Sequence, residues 1–334
     1  MGRPRRTATV AIVLVAVTLA ALVAIPAAIA AFAAQAQNEG NTITAAPDFT
    51  PPAITAVALG KTEGGVTGFV RQGGKFFVYA NVAADAGNPP SGIATVKANV
   101  GEFGAGTTVT LTAGTFTAGG VSYNYRSAEV TDTLQTGTKS FTVTATDAAG
   151  NARTVEGSAT ADSAPPTAVD IQSANGGTTP GFAEENDSLT YTFSESMEPQ
   201  SILAGWTGAT TNVTVRVYNN GLLGLGGNDL VQIYNSTNAT ILPLGTIDLG
   251  RNDYAAGLLE GSYRFLESKM TMTGNTITIV FGTYSSTVLV DPGRGNAAGT
   301  GQMTWTPVAT PYDRAGNVMS TTPALESGPA DKEF

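Results

Sequence analysis

The stretch Phe141-Thr-Val-Thr-Ala-Thr-Asp-Ala-Ala-Gly-Asn151 joins an alternating β-type run to a five-residue pattern, Asp-x-Ala-Gly-Asn. The pattern recurs as Asp313-Arg-Ala-Gly-Asn317, again after strand-forming residues at 303–310. Asp can cap a turn through its side chain, while Gly and Asn tolerate left-handed backbone, so each copy is typical of a tight turn. The recurrence predicts two β-rich units, each with this turn in its last hairpin.

Composition favours an all-β chain and excludes several classes of function. Charged residues make up only 13% of the 334 residues and there are 40 glycines, which is typical of short strands joined by tight turns. The chain has no Cys and no His, which excludes disulfides, thiolate or histidine metal sites and His-dependent catalytic triads. Its formal charge of −9 argues against a nucleic-acid partner, because phosphate binding needs clustered Lys and Arg.

The first 47 residues predict export. Three arginines, Arg3, Arg5 and Arg6, precede a charge-free stretch that extends to Asn38. A positive segment followed by an apolar segment and small residues is typical of a secretory signal peptide. The apolar run is longer than the ~7–15 residues of an ordinary signal core and than the ~20 that span a bilayer. Two alternatives therefore stand, a cleaved signal peptide and an uncleaved N-terminal transmembrane helix, and both predict that the rest of the chain is extracellular.

Two Pro-Pro pairs mark where the folded units begin. Pro51-Pro52 follows the N-terminal region and Pro165-Pro166 divides the remainder. Such pairs hold the chain extended and suit the start of an edge strand. We predict two tandem immunoglobulin-like β-sandwiches, over 48–162 and, enlarged, over 163–334, after a signal peptide or membrane anchor plus linker over 1–47. Seven strand-like runs separated by Gly- and Pro-containing turns fill the first unit, as this fold requires.

A second motif is more specific. The segment Phe193-Ser-Glu-Ser-Met-Glu-Pro-Gln-Ser-Ile202 is similar to the FSExMxPxSI signature of bacterial immunoglobulin-like domains, in which a DxAGN turn after a late strand also recurs. The resemblance implies extracellular β-sandwich modules whose signature residues are structural, and therefore no catalytic residues. Within the segment, we predict that Pro199 lies in the first turn of a short helix whose N-cap is Ser196.

A calcium site is a further interpretation of the first DxAGN copy. Asp carboxylates, Asn side-chain oxygens and loop carbonyls are the hard oxygen ligands that Ca²⁺ prefers. Between Arg153 and Arg216 there is no Lys or Arg, although this interval contains several Asp and Glu residues. An acidic joint repels itself unless solvent or a cation neutralises it. We therefore name Asp147, Asn151 and Asp162 as candidate calcium ligands at the joint; a turn without metal is the alternative.

These features predict a non-enzymatic exported or cell-surface protein with a structural or adhesive role. The sequence contains no GxSxG, SxxK or P-loop pattern. The expected partner is a surface, matrix or glycan ligand, with the membrane as a further contact if the N-terminal segment is uncleaved. The alternative is an extracellular carbohydrate-binding module in which Trp206, Tyr218, Tyr234 or Trp305 form an exposed stacking surface.

Overall fold

The computed structural model describes residues 37–38, 41–42, 48–87, 89–132, 136–222, 225–257, 261–286 and 293–334. Regular structure in these ranges is almost entirely β, which confirms the all-β prediction. The predicted signal peptide or transmembrane helix lies outside the described residues. Within them, no helix is both long enough and apolar enough to span a membrane.

The N-terminal sandwich, here called domain 1, is built on one sheet of nine described strands. A hairpin of β1 (Gln37–Asn38) and β2 (Asn41–Thr42) precedes it, and one 3-10 turn, Gly101–Phe103, interrupts it. The strands of the sheet are β3 (Ile54–Lys61), β4 (Phe69–Arg71), β5 (Lys75–Val82), β6 (Ile93–Asn99), β7 (Val109–Ala118), β8 (Val121–Ser127), β9 (Val130–Thr131), β10 (Gly137–Asp147) and β11 (Ala152–Asp162).

Domain 1 closes on itself. Its strands pair in the order β3-β5-β8-β7-β6-β10-β11-β4, and β9 pairs with β5. The pairing of β4 with β11 is parallel, whereas the other pairs are antiparallel. Because β11 also packs beside β3, the sheet curls into a sandwich-like barrel. Strand β5 is buried over most of its length, because both faces of its Phe- and Val-rich sequence lie against other parts of the domain.

The C-terminal sandwich, domain 2, is also built on one sheet, with ten described strands. It includes one short helix, α1 (Pro199–Ile202). A separate two-residue hairpin, β15 (Gly221–Leu222) with β16 (Leu225–Gly226), lies in the Gly-rich segment between its strands. The strands of the sheet are β12 (Ala168–Ala174), β13 (Ser188–Phe193), β14 (Thr211–Asn219), β17 (Leu230–Asn235), β18 (Thr246–Asp248), β19 (Gly261–Thr273), β20 (Thr276–Val280), β21 (Thr283–Ser285), β22 (Thr304–Thr306) and β23 (Ala324–Leu325).

The sheet of domain 2 closes in a similar way. Its strands pair in the order β12-β13-β20-β19-β14-β17-β18-β22-β23, and β21 pairs with β19. The last strand, β23, packs against the first, β12, so this sheet also forms a sandwich-like barrel. Alternation sets the faces: in β13 every second side chain is buried, as its Ser-Leu-Thr-Tyr-Thr-Phe sequence predicts.

Each barrel has its own apolar core. Phe76 and Phe103 pack at 5.5 Å in domain 1, where the core residues run from Ile54 to Ala161. In domain 2, the core is larger and centres on Trp305. Separate cores allow two stable folding units, since each removes its own apolar surface from water.

Helix α1 corrects one sequence-based expectation. Pro199 occupies its first position, as predicted, but the N-cap is Glu198 rather than Ser196, and no side chain caps the helix. The backbone of Glu198 is extended at this point, and its carboxylate is bound to Lys61 instead of to the helix. A tertiary contact thus replaces the local cap.

Candidate functional site

The first DxAGN copy forms the hairpin between β10 and β11. Gly150 has φ 93°, a conformation that favours glycine. The Asp147 carboxylate accepts hydrogen bonds at 2.8 Å from both the backbone N–H and the side-chain Nδ2 of Asn151. Hydrogen bonds between Asp147 and Asn151 therefore stabilise the turn, and they explain why both residues occur there without a bound metal.

The second copy repeats this geometry. Gly316 has φ 100°, and Asp313 accepts hydrogen bonds at 2.8 Å from the backbone and the side chain of Asn317. Here the turn closes an isolated bridge between Tyr312 and Val318 instead of a hairpin between long strands. Identical local bonds in two different settings show that the five-residue pattern specifies the turn by itself.

Each turn contributes its Asp to a group of three carboxylates. In group 1, the side chains of Asp48, Asp85 and Asp147 bring one oxygen each to within 4.8 Å of one another. Asn151 connects the turn to this group, because its Nδ2 donates to the backbone oxygen of Asp48 at 3.0 Å. Burial opposes ionisation of Asp85, but hydrogen bonds donated by Gly87, Gly92 and Ser91 outweigh it and lower the pKa of this carboxyl.

Group 2 lies at the joint between the domains. Asp162 at the end of β11, Glu195 after β13 and Asp313 of the second turn have carboxylate oxygens within 4.8 Å of one another. Asn317 Nδ2 is 3.5 Å from Asp162 Oδ2, so its role matches that of Asn151 in group 1. A cleft of about 440 Å³, also lined by Phe69 and Arg314, opens beside Asp162 and Glu195.

The carboxylates of group 2 repel one another and are partly buried, and both effects oppose their ionisation. Burial, reinforced by the neighbouring Asp313 and Asp162, raises the pKa of Glu195 to about 8. Burial also raises the pKa of Asp313, although hydrogen bonds from Asn317 and Gly316 oppose this shift. Adjacent carboxyl groups favour a shared proton or a cation, since two negative charges this close repel each other.

The candidate calcium ligands named from the sequence divide between the two groups. Asp147 and Asn151 belong to group 1, while Asp162 belongs to group 2, so the three do not form one site. Sequence reasoning missed the carboxylates that complete the groups, Asp48 and Asp85 in one and Glu195 and Asp313 in the other. One signal was available: an Asp stands three residues before each first proline, in Asp48-Phe-Thr-Pro-Pro52 and Asp162-Ser-Ala-Pro-Pro166.

A buried ion pair joins the two domains. Lys61, the last residue of β3, places Nζ 2.7 Å from Glu198 Oε2, and the two side chains are 1% and 2% exposed. The backbone N–H of Val66 also donates to this oxygen, at 2.9 Å, and Lys61 Nζ donates to the Val66 carbonyl. Gly65 is required here, because a Cβ at its position would clash with the Glu198 carboxylate.

A cleft of about 630 Å³ borders this ion pair. Both domains line it, domain 1 with Phe77 and Arg126 and domain 2 with Gln200 and Trp206. The Arg126 guanidinium lies 4.4 Å from the ring centroids of both Phe77 and Phe116, an arrangement that holds the cation between two aromatic faces. The cleft is thus wide enough for a small ligand and has a charged, aromatic wall.

The four aromatic residues proposed as a sugar-stacking surface do not form one. Trp305 is fully buried and Trp206 is 7% exposed. Tyr218 and Tyr234 are partly buried, and their hydroxyls are hydrogen-bonded to each other at 2.7 Å. The Arg216 guanidinium covers the Tyr234 ring at 4.1 Å. These contacts are typical of packing rather than of an open sugar platform.

The solved structures to which this chain is similar are β-sandwich modules. No protein-family model matches the chain, and no curated protein matches it. Among solved structures, fibronectin(III)-like modules of Clostridium thermocellum CbhA are 12% identical, with 68% of this chain and 95% of that chain covered and a TM-score of 0.23. Carbohydrate-binding modules from the β-sandwich superfamily are 11% identical, with 72% and 94% covered and a TM-score of 0.20. At these scores no ligand or role is carried over from either.

Proposed function

We propose that this chain is an exported or cell-surface, non-enzymatic protein in which two immunoglobulin-like sandwiches act together as a structural or adhesive module. The observation that carries the proposal is the buried pair of Lys61 and Glu198. An ion pair without solvent contact tolerates little movement, since separating the charges would leave each of them buried and unpaired. The pair therefore supports a fixed arrangement of the domains, as a spacer or a display module needs.

The arrangement of the carboxylates supports a non-enzymatic role. The carboxylates of a glycosidase stand on opposite sides of a sugar, roughly 5–10 Å apart. In groups 1 and 2, three oxygens converge within 4.8 Å instead. Such a cluster leaves no room for a sugar ring between its members, and its chemistry is that of a cation site or of shared protons.

Location and binding together test the adhesive proposal. Cells that express the full chain are treated with an external protease, and the mass of the mature N-terminus is measured to separate a cleaved signal peptide from an anchor. The purified protein is then applied to arrays of glycans and matrix proteins. We expect external cleavage and binding to a matrix or surface ligand; a protein that stays inside the cell would contradict the proposal.

We also propose calcium for groups 1 and 2. The supporting observation is that the same two motifs, Asp-x-x-Pro-Pro and Asp-x-Ala-Gly-Asn, bring two carboxylates together in each group. A third carboxylate from another part of the chain, Asp85 in group 1 and Glu195 in group 2, completes each cluster. Oxygen-only ligands suit Ca²⁺, with the weak affinity of extracellular modules, a Kd of about 10⁻⁴–10⁻³ M. Calcium would neutralise the acidic joint and hold β11 near the second turn.

Calcium titration tests this second proposal. After chelation, the Tm is measured while CaCl₂ is raised through the millimolar range, in the unaltered protein and in Asp147→Asn and Asp313→Asn. We expect the Tm to rise with calcium, and each variant to lose part of that rise. Glu156→Gln, which changes an exposed carboxylate outside the groups, serves as the control. An unchanged Tm in the unaltered protein would exclude calcium.

Glycan binding remains the competing function, and the interdomain cleft favours it. Its volume of about 630 Å³ suits a short sugar segment, and Arg126 and Gln200 offer hydrogen-bond donors. On this proposal, Arg126→Ala and Gln200→Ala weaken binding of a glycan identified on the array. If binding persists in both variants, the cleft is not the glycan site.

A further inference from the structure

A third group of carboxylates lies in domain 2, where the chain leaves its last strand, β23. Glu326, Asp331 and Glu333, here called group 3, bring one oxygen each to within 4.8 Å of one another. Backbone contacts fix each residue separately. Glu326 N–H donates to the Met303 carbonyl, Gly301 N–H donates to the Asp331 carbonyl, and Glu333 N–H donates to the Tyr254 hydroxyl. The three side chains are therefore held together by the fold around them.

Group 3 contains a buried carboxylate oxygen without a donor. Glu333 is fully buried and its Oε2 accepts a hydrogen bond from Ser173 Oγ at 2.6 Å. Its Oε1 is also buried, and no donor in the described part of the chain reaches it. A buried acceptor without a partner is destabilising, and a buried charge without one more so. Neither DxAGN turn supplies this oxygen, so it is an observation independent of the motifs in groups 1 and 2.

The charges of group 3 are not balanced by side chains. Glu326 is 4% exposed, and its carboxylate accepts one hydrogen bond, from Met303 N–H at 3.0 Å. Within the described residues, no Lys or Arg forms a salt bridge with Glu326, Asp331 or Glu333. The group therefore lacks a positive partner on its buried side.

The ligand types of group 3 select among cations. Its three ligands are carboxylate oxygens, whereas softer metals prefer nitrogen or sulfur ligands, which this group lacks. Mg²⁺ loses its water reluctantly and is usually bound through one or two carboxylates. Ca²⁺ accepts several protein oxygens in a flexible geometry, so three carboxylates suit it better.

We propose that Glu326, Asp331 and Glu333 bind a calcium ion in a third site, which fixes the segment after β23 on domain 2. The ion supplies the missing partner of Glu333 Oε1. It also connects three parts of the domain, because Ser173 lies in β12, Met303 precedes β22 and Tyr254 lies in the loop after β18. This site does not depend on calcium at groups 1 and 2.

Terbium luminescence and calcium titration test the site. TbCl₃ is added to the chelated protein with excitation of tyrosine and tryptophan, since Tyr254 contacts Glu333 and is placed to sensitise a bound ion. CaCl₂ is then used to displace the terbium. Asp331→Asn is the decisive variant, because Asp331 is exposed and its replacement leaves the core intact. Glu185→Gln, an exposed carboxylate elsewhere in domain 2, is the matched control.

We expect Asp331→Asn to weaken one class of calcium sites by about tenfold or more and to reduce sensitised emission, while Glu185→Gln changes neither. Glu333→Gln removes the buried charge, so this variant should lose calcium-dependent stabilisation while it remains folded in chelator. Equal calcium affinity and emission in Asp331→Asn and Glu185→Gln would overturn the proposal, even if Glu333→Gln fails to fold. The proposal would also be overturned if neither Asp331→Asn nor Glu185→Gln bound terbium, because the carboxyl groups would then share a proton and bind no cation.

Discussion

Lys61 Nζ lies 2.7 Å from Glu198 Oε2, although the two residues belong to different sandwiches and are 137 positions apart in the sequence. Burial makes this contact sensitive to the loss of either partner. A remaining charge would have neither water nor a counter-ion, whereas an exposed pair keeps its solvent. The arrangement of the two domains is therefore sensitive to the loss of this contact.

Replacement of one residue of the Lys61–Glu198 pair should strongly destabilise the folded protein. We expect Lys61→Met to lower the free energy of unfolding by about 3–5 kcal/mol, since Glu198 stays buried without its cation. The double variant Lys61→Met/Glu198→Gln should recover much of the loss, because Gln still accepts from Val66 N–H. Chemical denaturation measures both. Lys75→Met, which breaks the exposed pair with Glu129, is the control and should change stability little.

Asp229 should make stability depend on pH. It is fully buried, Oδ2 accepts from Ala255 N–H, and burial raises the pKa of its carboxyl from the ordinary 3.8 to about 6. The folded state thus holds this proton more tightly than the unfolded state. Its contribution to stability is fully present below pH 3.8 and is lost as the pH rises to about 6.

The Asp229→Asn variant isolates this effect. Asn cannot ionise, so the fall in stability between pH 3.8 and about 6 should be smaller than in the unaltered protein. Denaturation midpoints measured across this range, in chelator, give the comparison. A variant with the same pH profile as the parent would show that Asp229 does not titrate in the folded chain.

The DxAGN turn should require its glycine for backbone reasons alone. A Cβ at Gly150 would meet nothing within 4 Å, so the cost of Gly150→Ala comes only from φ 93°. We expect a loss of roughly 1–2 kcal/mol, measured by denaturation. Gly150→Asn should lose less, because Asn tolerates left-handed backbone better than Ala. Equal losses in both variants would instead indicate a packing effect.

Trp305 should stabilise the folded protein through its packing in the core of domain 2. Its ring is fully buried, meets Tyr191 and Phe193 edge to face at 5.1 and 5.0 Å, and its Nε1 donates to the Leu244 carbonyl. Trp305→Ala should therefore lower the free energy of unfolding by about 3–5 kcal/mol. Leu325→Ala, at a position 56% exposed, is the control and should change it by less than about 0.5 kcal/mol.

A glycan titration distinguishes a role of Trp305 in core packing from a role in ligand binding. If Trp305 were a sugar platform, its loss would abolish binding and leave the denaturation curve unchanged. That pattern, measured on Trp305→Phe as well as Trp305→Ala, would contradict the packing seen here.

Local features were predictable from the sequence. The turn at Asp147 and Asn151 forms between residues four positions apart, and its bonds are set by side chains that prefer this conformation wherever they occur. The alternation in β13 likewise identifies which side chains are buried. For the same reason the all-β class followed from composition and pattern.

Contacts between distant segments were not predictable. The sequence names Asp147, Asn151 and Asp162 as ligands because they are close along the chain, yet β11 carries Asp162 away from the turn and toward Glu195 and Asp313. Nor does the pattern of aromatic residues reveal that Trp305 is buried while Phe77 lines a cleft. Both depend on where strands meet in the folded sheet.

The sequence by itself thus determined the all-β class, the two turns and the acidic character of the joint, because these depend on composition and on side chains within a few residues of each other. Only the tertiary structure decided which carboxylates converge, and that Lys61 meets Glu198. The physical reason is that the closure of two sheets into barrels sets those distances, and strand order is not encoded in local preference.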